Sequence, residues 1–317
     1  MLLALERDHD NLRAAIDWLG EHDSKRCLGL VGALGWFWHL HSHFAEGRAR
    51  LTQALAGRTE RDEFRARALS AAGELAAWAG DIPAAAPLVE EAVSIWHELG
   101  VEREAALALH ELGWGYFFTG DDLAARRCME ESLALQQRHG TPILVNRAQI
   151  GLLQVLVSIG ELATVERLSR EALELAARLG DQRSRHFAYH FLADCALIQG
   201  DCMVAQERYR RSLELAVGLG DRFEIATEIQ GLAMAAAGLS QRRRAVRLEG
   251  AAAAVLDSLG VDWSGTHFWD RLMDQYIGQA RAELGDDAPR VSEEGTRLEL
   301  DRAIEEALSI EVPPYVG

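Results

Sequence analysis

Apolar side chains recur along this chain at the three- and four-residue intervals of an α-helix. Leu12 and Ile16 begin one such face, which predicts a helix over residues 5–19. The pattern then predicts a helix over 24–41 that is apolar on nearly every side, and a third helix over 44–56. The hydrophobic pattern therefore indicates an all-α protein.

Glycine stands at every twentieth residue in the middle of the chain, except at Ser240. Glycine can adopt the left-handed conformation that closes a helix, and an acidic N-cap residue follows most of these positions. The spacing predicts helices of about 18 residues that pair into 40-residue hairpins. The glycines in this series are Gly80, Gly100, Gly120, Gly140, Gly160, Gly180, Gly200, Gly220 and Gly260.

Small residues recur at matching places inside each hairpin and predict close approach of its two helices. They are Gly73, Gly113, Ala193 and Ala233 on the first helix, and Ala85, Ala125, Ala205 and Ala245 on the second. The predicted fold is an all-α, right-handed superhelical solenoid of antiparallel hairpins. It divides into N-terminal helices at 1–58, five repeats at 59–262 and a C-terminal cap at 263–317. Because Ser240 breaks the glycine series, we expect the hairpin at 221–260 to be the least regular.

The cap region has a different pattern from the repeats. Residues 263–285 are predicted to form one long helix, followed by an acidic loop at 286–289 and a short terminal helix. Such an atypical terminal unit would cover the open end of a solenoid core.

The net charge of −16 argues against direct binding of nucleic acid, which depends on neutralising phosphates. The basic cluster at 241–247 is interpreted as a solvated helix start rather than a phosphate site. The four cysteines lack paired spacing and are typical of reduced thiols. No apolar run is long enough to cross a membrane. We therefore expect a cytoplasmic protein without a membrane partner.

Candidate catalytic and metal sites are poorly supported. Lys25 is the single lysine, and no glycine-rich phosphate loop precedes it. His39 and His43 are spaced to share a helix face, but a histidine cluster packed on Trp36 and Trp38 is favoured over a metal site. We expect no cofactor, no metal and no catalysis.

The small-residue pattern resembles tetratricopeptide repeats (TPR) stretched to 40 residues. Three further segments resemble the helical sensor region of bacterial LuxR-type and signal-transducing ATPase (STAND) regulators. They read DHDNLRAAIDW at 8–18, WFW to EGR at 36–48, and EGTR at 294–297 followed by a short helix at 303–308. The sequence has neither the phosphate loop nor a recognisable helix-turn-helix of those regulators. An excised sensor region and a stand-alone relative both remain open.

In the tetratricopeptide arrangement, the first helix of each hairpin lines a concave groove. The resemblance places a set of polar and aromatic residues there, where purely packing positions would be aliphatic. These are Glu74, His110, Trp114, Gln154, His190, Asp194 and Gln230. The alternative is that the groove is simply solvated.

The resulting hypothesis is a non-catalytic sensor that binds a small-molecule effector or a protein segment. An ATPase domain in cis or in trans would receive the signal. The alternative is a stand-alone adaptor scaffold that binds proteins only. An enzyme would need an unrecognised carboxylate pair such as Glu74 and Asp194.

Overall fold

The computed structural model describes residues 7–40, 43–259 and 267–309. Every regular element in these three ranges is a helix, which confirms the predicted all-α class. The chain divides into two compact units, Met1–Leu152 and Leu153–Gly317, which are described separately below. No helix within the described ranges has both the length and the apolarity needed to cross a membrane.

The helices follow one another with short connections. Those of the first unit are α1 (His9–His22), α2 (Ser24–Ala33), α3 (Gly35–Leu40), α4 (Phe44–Leu55), α5 (Glu63–Trp78), α6 (Ile82–Glu98), α7 (Glu102–Phe118) and α8 (Asp122–His139). Helix α9 (Pro142–Ser158) contains the unit boundary. Those of the second unit are α10 (Leu162–Leu179), α11 (Gln182–Ile198), α12 (Cys202–Leu219), α13 (Arg222–Gly238), α14 (Arg242–Leu259), α15 (His267–Met273), α16 (Gln279–Leu284), α17 (Ala288–Thr296) and α18 (Leu300–Leu308).

Small residues bring the two helices of a hairpin together, as predicted. A Cβ atom added to Gly73 would lie 2.5 Å from the Val89 side chain, and one on Gly113 would lie 3.0 Å from Met129. The alanines at the matching positions are fully buried. Ser132 is also small, and its hydroxyl donates to the Ala106 carbonyl at 2.7 Å across the same seam. Larger side chains at these positions would force the helices apart.

The turns follow the glycine series with two exceptions. The described glycines of the series have positive φ, except Gly140, whose φ is −88°. Ser240 has φ 63° and makes the same pair of turn hydrogen bonds as the glycines, from Ser240 N to Ala237 O and from Gln241 N to Ala236 O. Helices α13 and α14 have 17 and 18 residues, as do α11 and α12. Ser240 thus forms a tight, glycine-like turn, which contradicts the reason for expecting the hairpin at 221–260 to be the least regular. Gly260 lies outside the described residues.

The apolar segment predicted as one helix over 24–41 breaks at Leu34, between α2 and α3. Its glycines lie against α5. A Cβ on Gly32 would be 3.0 Å from the Ala68 backbone nitrogen, and one on Gly35 would be 2.6 Å from the Ala71 Cβ. Close helix contact explains why this segment carries glycine despite its low helix propensity.

The cap differs from its prediction in two places. The segment predicted as a single helix over 263–285 is described from residue 267 and contains a π-helical turn, Asp274–Gly278. Residues 286–289 do not form a loop, because a short 3₁₀ turn leads directly into α17. Pro289 fits there because the first turn of a helix does not need its missing N–H. The predicted terminal helix is present as α18.

The basic cluster attaches the cap to the last repeat. Arg244 is only 7% exposed, and its guanidinium donates to the backbone carbonyls of Glu306 and Ala307 at the end of α18, at 3.0 and 3.2 Å. Arg247 pairs with the Glu306 carboxylate, and Arg242 pairs with Glu283. The interpretation of this cluster as a merely solvated helix start is wrong. Its charges hold the C-terminal helices in place.

Candidate ligand-binding face

Helices α5 and α7 carry polar and aromatic residues at equivalent positions of successive repeats. Glu74 and Trp114 are one 40-residue repeat apart, as are Trp78 and Phe118. His110 lies one turn before Trp114. Because residues four apart share a helix face, each helix presents these side chains on one side.

Aromatic rings on α3, α5 and α7 form a contiguous row, which we call the aromatic ridge. The rings of Trp36 and His39 stack at 5.0 Å, and His39 meets Trp78 edge-on at 4.9 Å. Trp78 lies 5.4 Å from Phe118, which stacks on Trp114 at 5.7 Å. Trp36 is 53% exposed and Trp78 39% exposed. The ridge therefore offers ring surface to solvent.

Two carboxylates lie beside the aromatic ridge. Glu74 is 3.1 Å from His39 Nδ1, and Glu111 accepts a hydrogen bond from Trp78 Nε1 at 3.1 Å. Two effects together raise the pKa of Glu111 to about 7. Desolvation is the larger, and the negative charge of Glu74 is the smaller. A positive charge placed between Glu74 and Glu111 would favour ionisation of Glu111.

His110 is held neutral at the edge of the ridge. Its Nε2 accepts a hydrogen bond from Trp114 Nε1 at 3.1 Å. Burial lowers the pKa of His110 to about 4. A Cβ on Gly151 would lie 2.4 Å from His110 Cε1, so only glycine leaves room for the ring. Glu74 thus borders the aromatic ridge through His39, and His110 borders it through Trp114.

The corresponding residues of the second unit lie in its interior. His190 and Asp194 have side chains that are 7% and 0% exposed. His190 Nδ1 is 2.8 Å from Glu228, and the Tyr209 hydroxyl donates to Asp194 at 2.5 Å. Burial alone would lower the pKa of His190. The negative charges of Asp194 and Glu228 together have the larger effect and raise this pKa to about 10. Burial raises the pKa of Asp194 to about 6, against the opposing effect of His190.

The last two predicted site residues differ in their surroundings. Gln230 accepts a hydrogen bond from Trp269 Nε1 at 3.2 Å, and the Trp269 ring stacks on His190 at 5.7 Å. The cap thus covers Gln230 and His190. Gln154 is half-buried on α9. Ligand binding at the predicted positions remains a prediction.

His39 and His43, which the sequence spaces on one helix face, pack against different neighbours. His39 stacks on Trp36, as predicted. His43 lies instead against His9 and Phe37, with ring centroids 4.5 and 5.7 Å away. His41 is outside the described residues.

Sequence reasoning missed several residues of these clusters. Trp78 and Phe118 could have been found, because each follows a predicted site residue by one turn and they are one repeat apart. Tyr209 and Glu228 come from neighbouring helices, and periodicity gives no signal for which side chain reaches across a helix interface.

No family model matches this chain, and no curated protein matches it. Solved structures do resemble it. A putative kinesin light chain with nearly identical TPR-like repeats from Podosopora anserina has a TM-score of 0.52 at 18% identity, over 63% of this chain and 99% of that one.

Two further similar structures are a signal-transduction ATPase and a Rap protein. A STAND protein with a tetratricopeptide repeat sensor from Pyrococcus horikoshii has a TM-score of 0.59 at 13% identity, over 85% of this chain and 46% of that one. A Rap protein complexed with competence and sporulation factor has a TM-score of 0.54 at 13% identity, over 83% of this chain and 77% of that one. At these identities the likeness shows the fold, and this chain has the fold of a TPR-like helical repeat solenoid.

Proposed function

We propose that this chain is the non-catalytic sensor or interaction region of a bacterial transcriptional regulator of the LuxR or STAND type. It binds a small ligand or a protein segment on the face that carries the aromatic ridge. The observation that carries this proposal is the ridge itself, with solvent-accessible rings beside the carboxylates of Glu74 and Glu111. Resemblance to a STAND sensor supports the regulatory part of the proposal.

The chemistry of this face favours a ligand that carries a positive charge next to apolar groups. Exposed tryptophan is enriched at binding hot spots, because it buries a large area and still has a polar tip. The face of an indole ring also attracts a cation. The acidic pair beside Trp78 adds electrostatic complementarity for the same charge.

The chemistry of the cysteines agrees with a non-catalytic role. Burial raises the pKa of Cys128 to about 11 and that of Cys195 to about 12. Both thiols stay protonated at neutral pH and are therefore poor nucleophiles.

Selection from a displayed library of random peptides tests the proposal. We expect enrichment of peptides that combine a basic residue with an aromatic or aliphatic one. Calorimetry would then compare a synthetic peptide of the selected sequence on the wild type and on Trp78→Ala, where the loss of a central ring should weaken binding by about tenfold or more. Glu111→Gln keeps the hydrogen-bond acceptor for Trp78 but removes the charge, and should weaken only the peptides with a basic residue.

Trp18→Ala is the matched control. Trp18 is 58% exposed on α1 and stacks on His22, away from the ridge residues in sequence and in its contacts. Equal affinities of Trp78→Ala and the wild type would remove the ridge from the binding site.

Signal transfer would require an ATPase domain in cis or in trans that senses the occupied state. Such coupling needs different ligand affinities in the two states. Measuring ATP hydrolysis by the partner domain with and without the selected peptide tests this step separately from binding.

A further inference from the structure

A cluster of two histidines and a glutamate lies in the N-terminal part of the first unit. His9 begins α1, His43 immediately precedes α4, and Glu46 lies in the first turn of α4. All three residues are half-buried. None of them belongs to the aromatic ridge or to the predicted ligand-binding residues.

The potential ligand atoms are close enough to share one metal ion. One ring nitrogen of each histidine and one carboxylate oxygen of Glu46 all lie within 4.8 Å of one another. His9 Nε2 is 3.2 Å from Glu46 Oε2. Two ligands of a tetrahedral zinc ion, each about 2.0–2.1 Å from the metal, are about 3.3 Å apart. The His9 and Glu46 atoms are therefore already at the required separation.

We propose that His9, His43 and Glu46 bind a divalent transition-metal ion, with zinc as the representative ion. Imidazole suits zinc, copper, iron and nickel, and zinc also binds carboxylate oxygen. Three protein ligands leave one position for water, as in zinc sites that are not purely structural.

Two observations support a metal over a simple ion pair. His9 Nε2 is buried and has no hydrogen-bond partner, although the Glu46 oxygen is near. A buried polar atom without such a partner carries a free-energy cost that a metal bond would remove. Phe37 packs against both histidine rings, at 5.2 and 5.7 Å, and so restrains their orientation.

Arg13 is the natural competitor for this site. Its guanidinium donates to Glu46 Oε1 at 2.8 Å and to Oε2 at 2.6 Å. It also donates to Asp10 at 3.1 Å, so it keeps an anionic partner when the metal takes Glu46 Oε2. The remaining bond to Oε1 would then orient the carboxylate, as groups behind metal ligands commonly do.

Calorimetric titration of the untagged, chelator-treated chain with zinc chloride tests the site. We expect one equivalent to bind, with affinity at least tenfold weaker in His9→Gln and in His43→Gln. His97→Gln is the matched control, because His97 is an exposed histidine paired with Glu102 at 2.7 Å. That variant should bind zinc as the wild type does.

Cobalt absorption and thermal melting complete the test. Cobalt bound by nitrogen and oxygen should give visible bands without a near-ultraviolet thiolate band. Zinc should raise the Tm of the wild type and of His97→Gln but not that of Glu46→Gln. Glu46→Gln keeps both histidines, so it still tests the site if His9→Gln fails to fold. The proposal is overturned by the absence of stoichiometric binding, by a thiolate band, by undiminished affinity in both histidine variants, or by loss of binding in His97→Gln.

Discussion

His110 and His190 stand at equivalent positions two repeats apart, yet their surroundings shift their pKa values in opposite directions. His110 has Trp114 one turn later, and burial lowers its pKa to about 4. His190 has Asp194 one turn later, and despite burial the neighbouring carboxylates raise its pKa to about 10. The comparison teaches that the repeat fixes where a side chain lies, while its neighbours fix its charge.

The neighbours also come from the following repeat. Glu228, which contacts His190, is equivalent to Ala148 of the first unit. Where the first unit has an apolar wall around a neutral histidine, the second has a paired ionic network. In the first unit, exposed aromatic surface lies near His110. In the second unit, Trp269 of the cap covers His190.

The largest effect is expected from Glu228→Ala, which gives the second unit the residue type found at position 148. His190 would keep Asp194 but lose a buried partner at 2.8 Å. Breaking a buried charged pair costs about 3–5 kcal/mol. We expect the free energy of unfolding at pH 7, measured in urea, to fall by about 3 kcal/mol.

Glu207→Ala is the control for that measurement. Glu207 is 51% exposed and pairs with Arg210 and Arg211 on the surface of α12. Its loss should change stability by less than about 0.5 kcal/mol. If Glu228→Ala changes stability as little, the network around His190 is not an energetic unit.

Acid titration is expected to separate the two histidines. The pKa of His110 is lowered in the folded state, so its contribution is present above pH 6.5 and is lost as the pH falls towards 4. The pKa of His190 is raised, so its contribution is complete below pH 6.5 and is lost progressively as the pH rises from 6.5 to about 10. Between pH 6.5 and 4, His110 should therefore remove up to about 3 kcal/mol.

Histidine ring resonances in NMR spectra between pH 3.5 and 8 would measure the pKa of His110 directly, while His190 should remain charged throughout that range. His110→Gln should flatten the pH dependence of stability across the acid range relative to the wild type. Ordinary titration of His110 near pH 6.5 would show that its surroundings do not exclude water.

A smaller effect is expected from Gly151→Ala. The new methyl group would lie 2.4 Å from His110 Cε1, so the ring or the helix must shift. Overpacking of this kind costs about 1–3 kcal/mol. Thermal unfolding should show a lowered Tm, together with a changed Trp114 fluorescence as its hydrogen bond to His110 weakens.

Gly218→Ala provides the contrast for that substitution. Nothing lies within 4 Å of a Cβ added at Gly218 in α12, and alanine favours helix. This variant should be unchanged or slightly more stable. An equal loss of stability in both variants would mean that Gly151 is not needed for packing against His110.

The helices were predictable because their signals are local. Glycine followed by an acidic cap predicts most of the turns. The two exceptions are instructive. Ser240 adopts the left-handed conformation because the same turn hydrogen bonds hold it. Gly140 has an extended backbone and precedes Thr141 and Pro142 rather than an acidic cap.

The site was less predictable, because its chemistry depends on contacts between helices. The sequence predicted Glu74, His110 and Trp114 on one groove, and their joint role in binding stays a prediction. It could not reveal that Tyr209 and Glu228 reach His190 and Asp194, since side-chain direction at a helix interface depends on packing. The role of Arg244 was equally hidden, because its acceptors are backbone carbonyls 62 and 63 residues away.

The attachment of Arg244 to the end of α18 has a consequence for local unfolding. A terminal helix of nine residues would ordinarily fray and exchange its amide protons rapidly. Here its last carbonyls are bonded to a buried guanidinium on α14, so α18 cannot open without exposing that charge partner. We therefore expect the amide protons of α18 to exchange more slowly than those of an unattached helix of the same length, and Arg244→Ala to remove that protection.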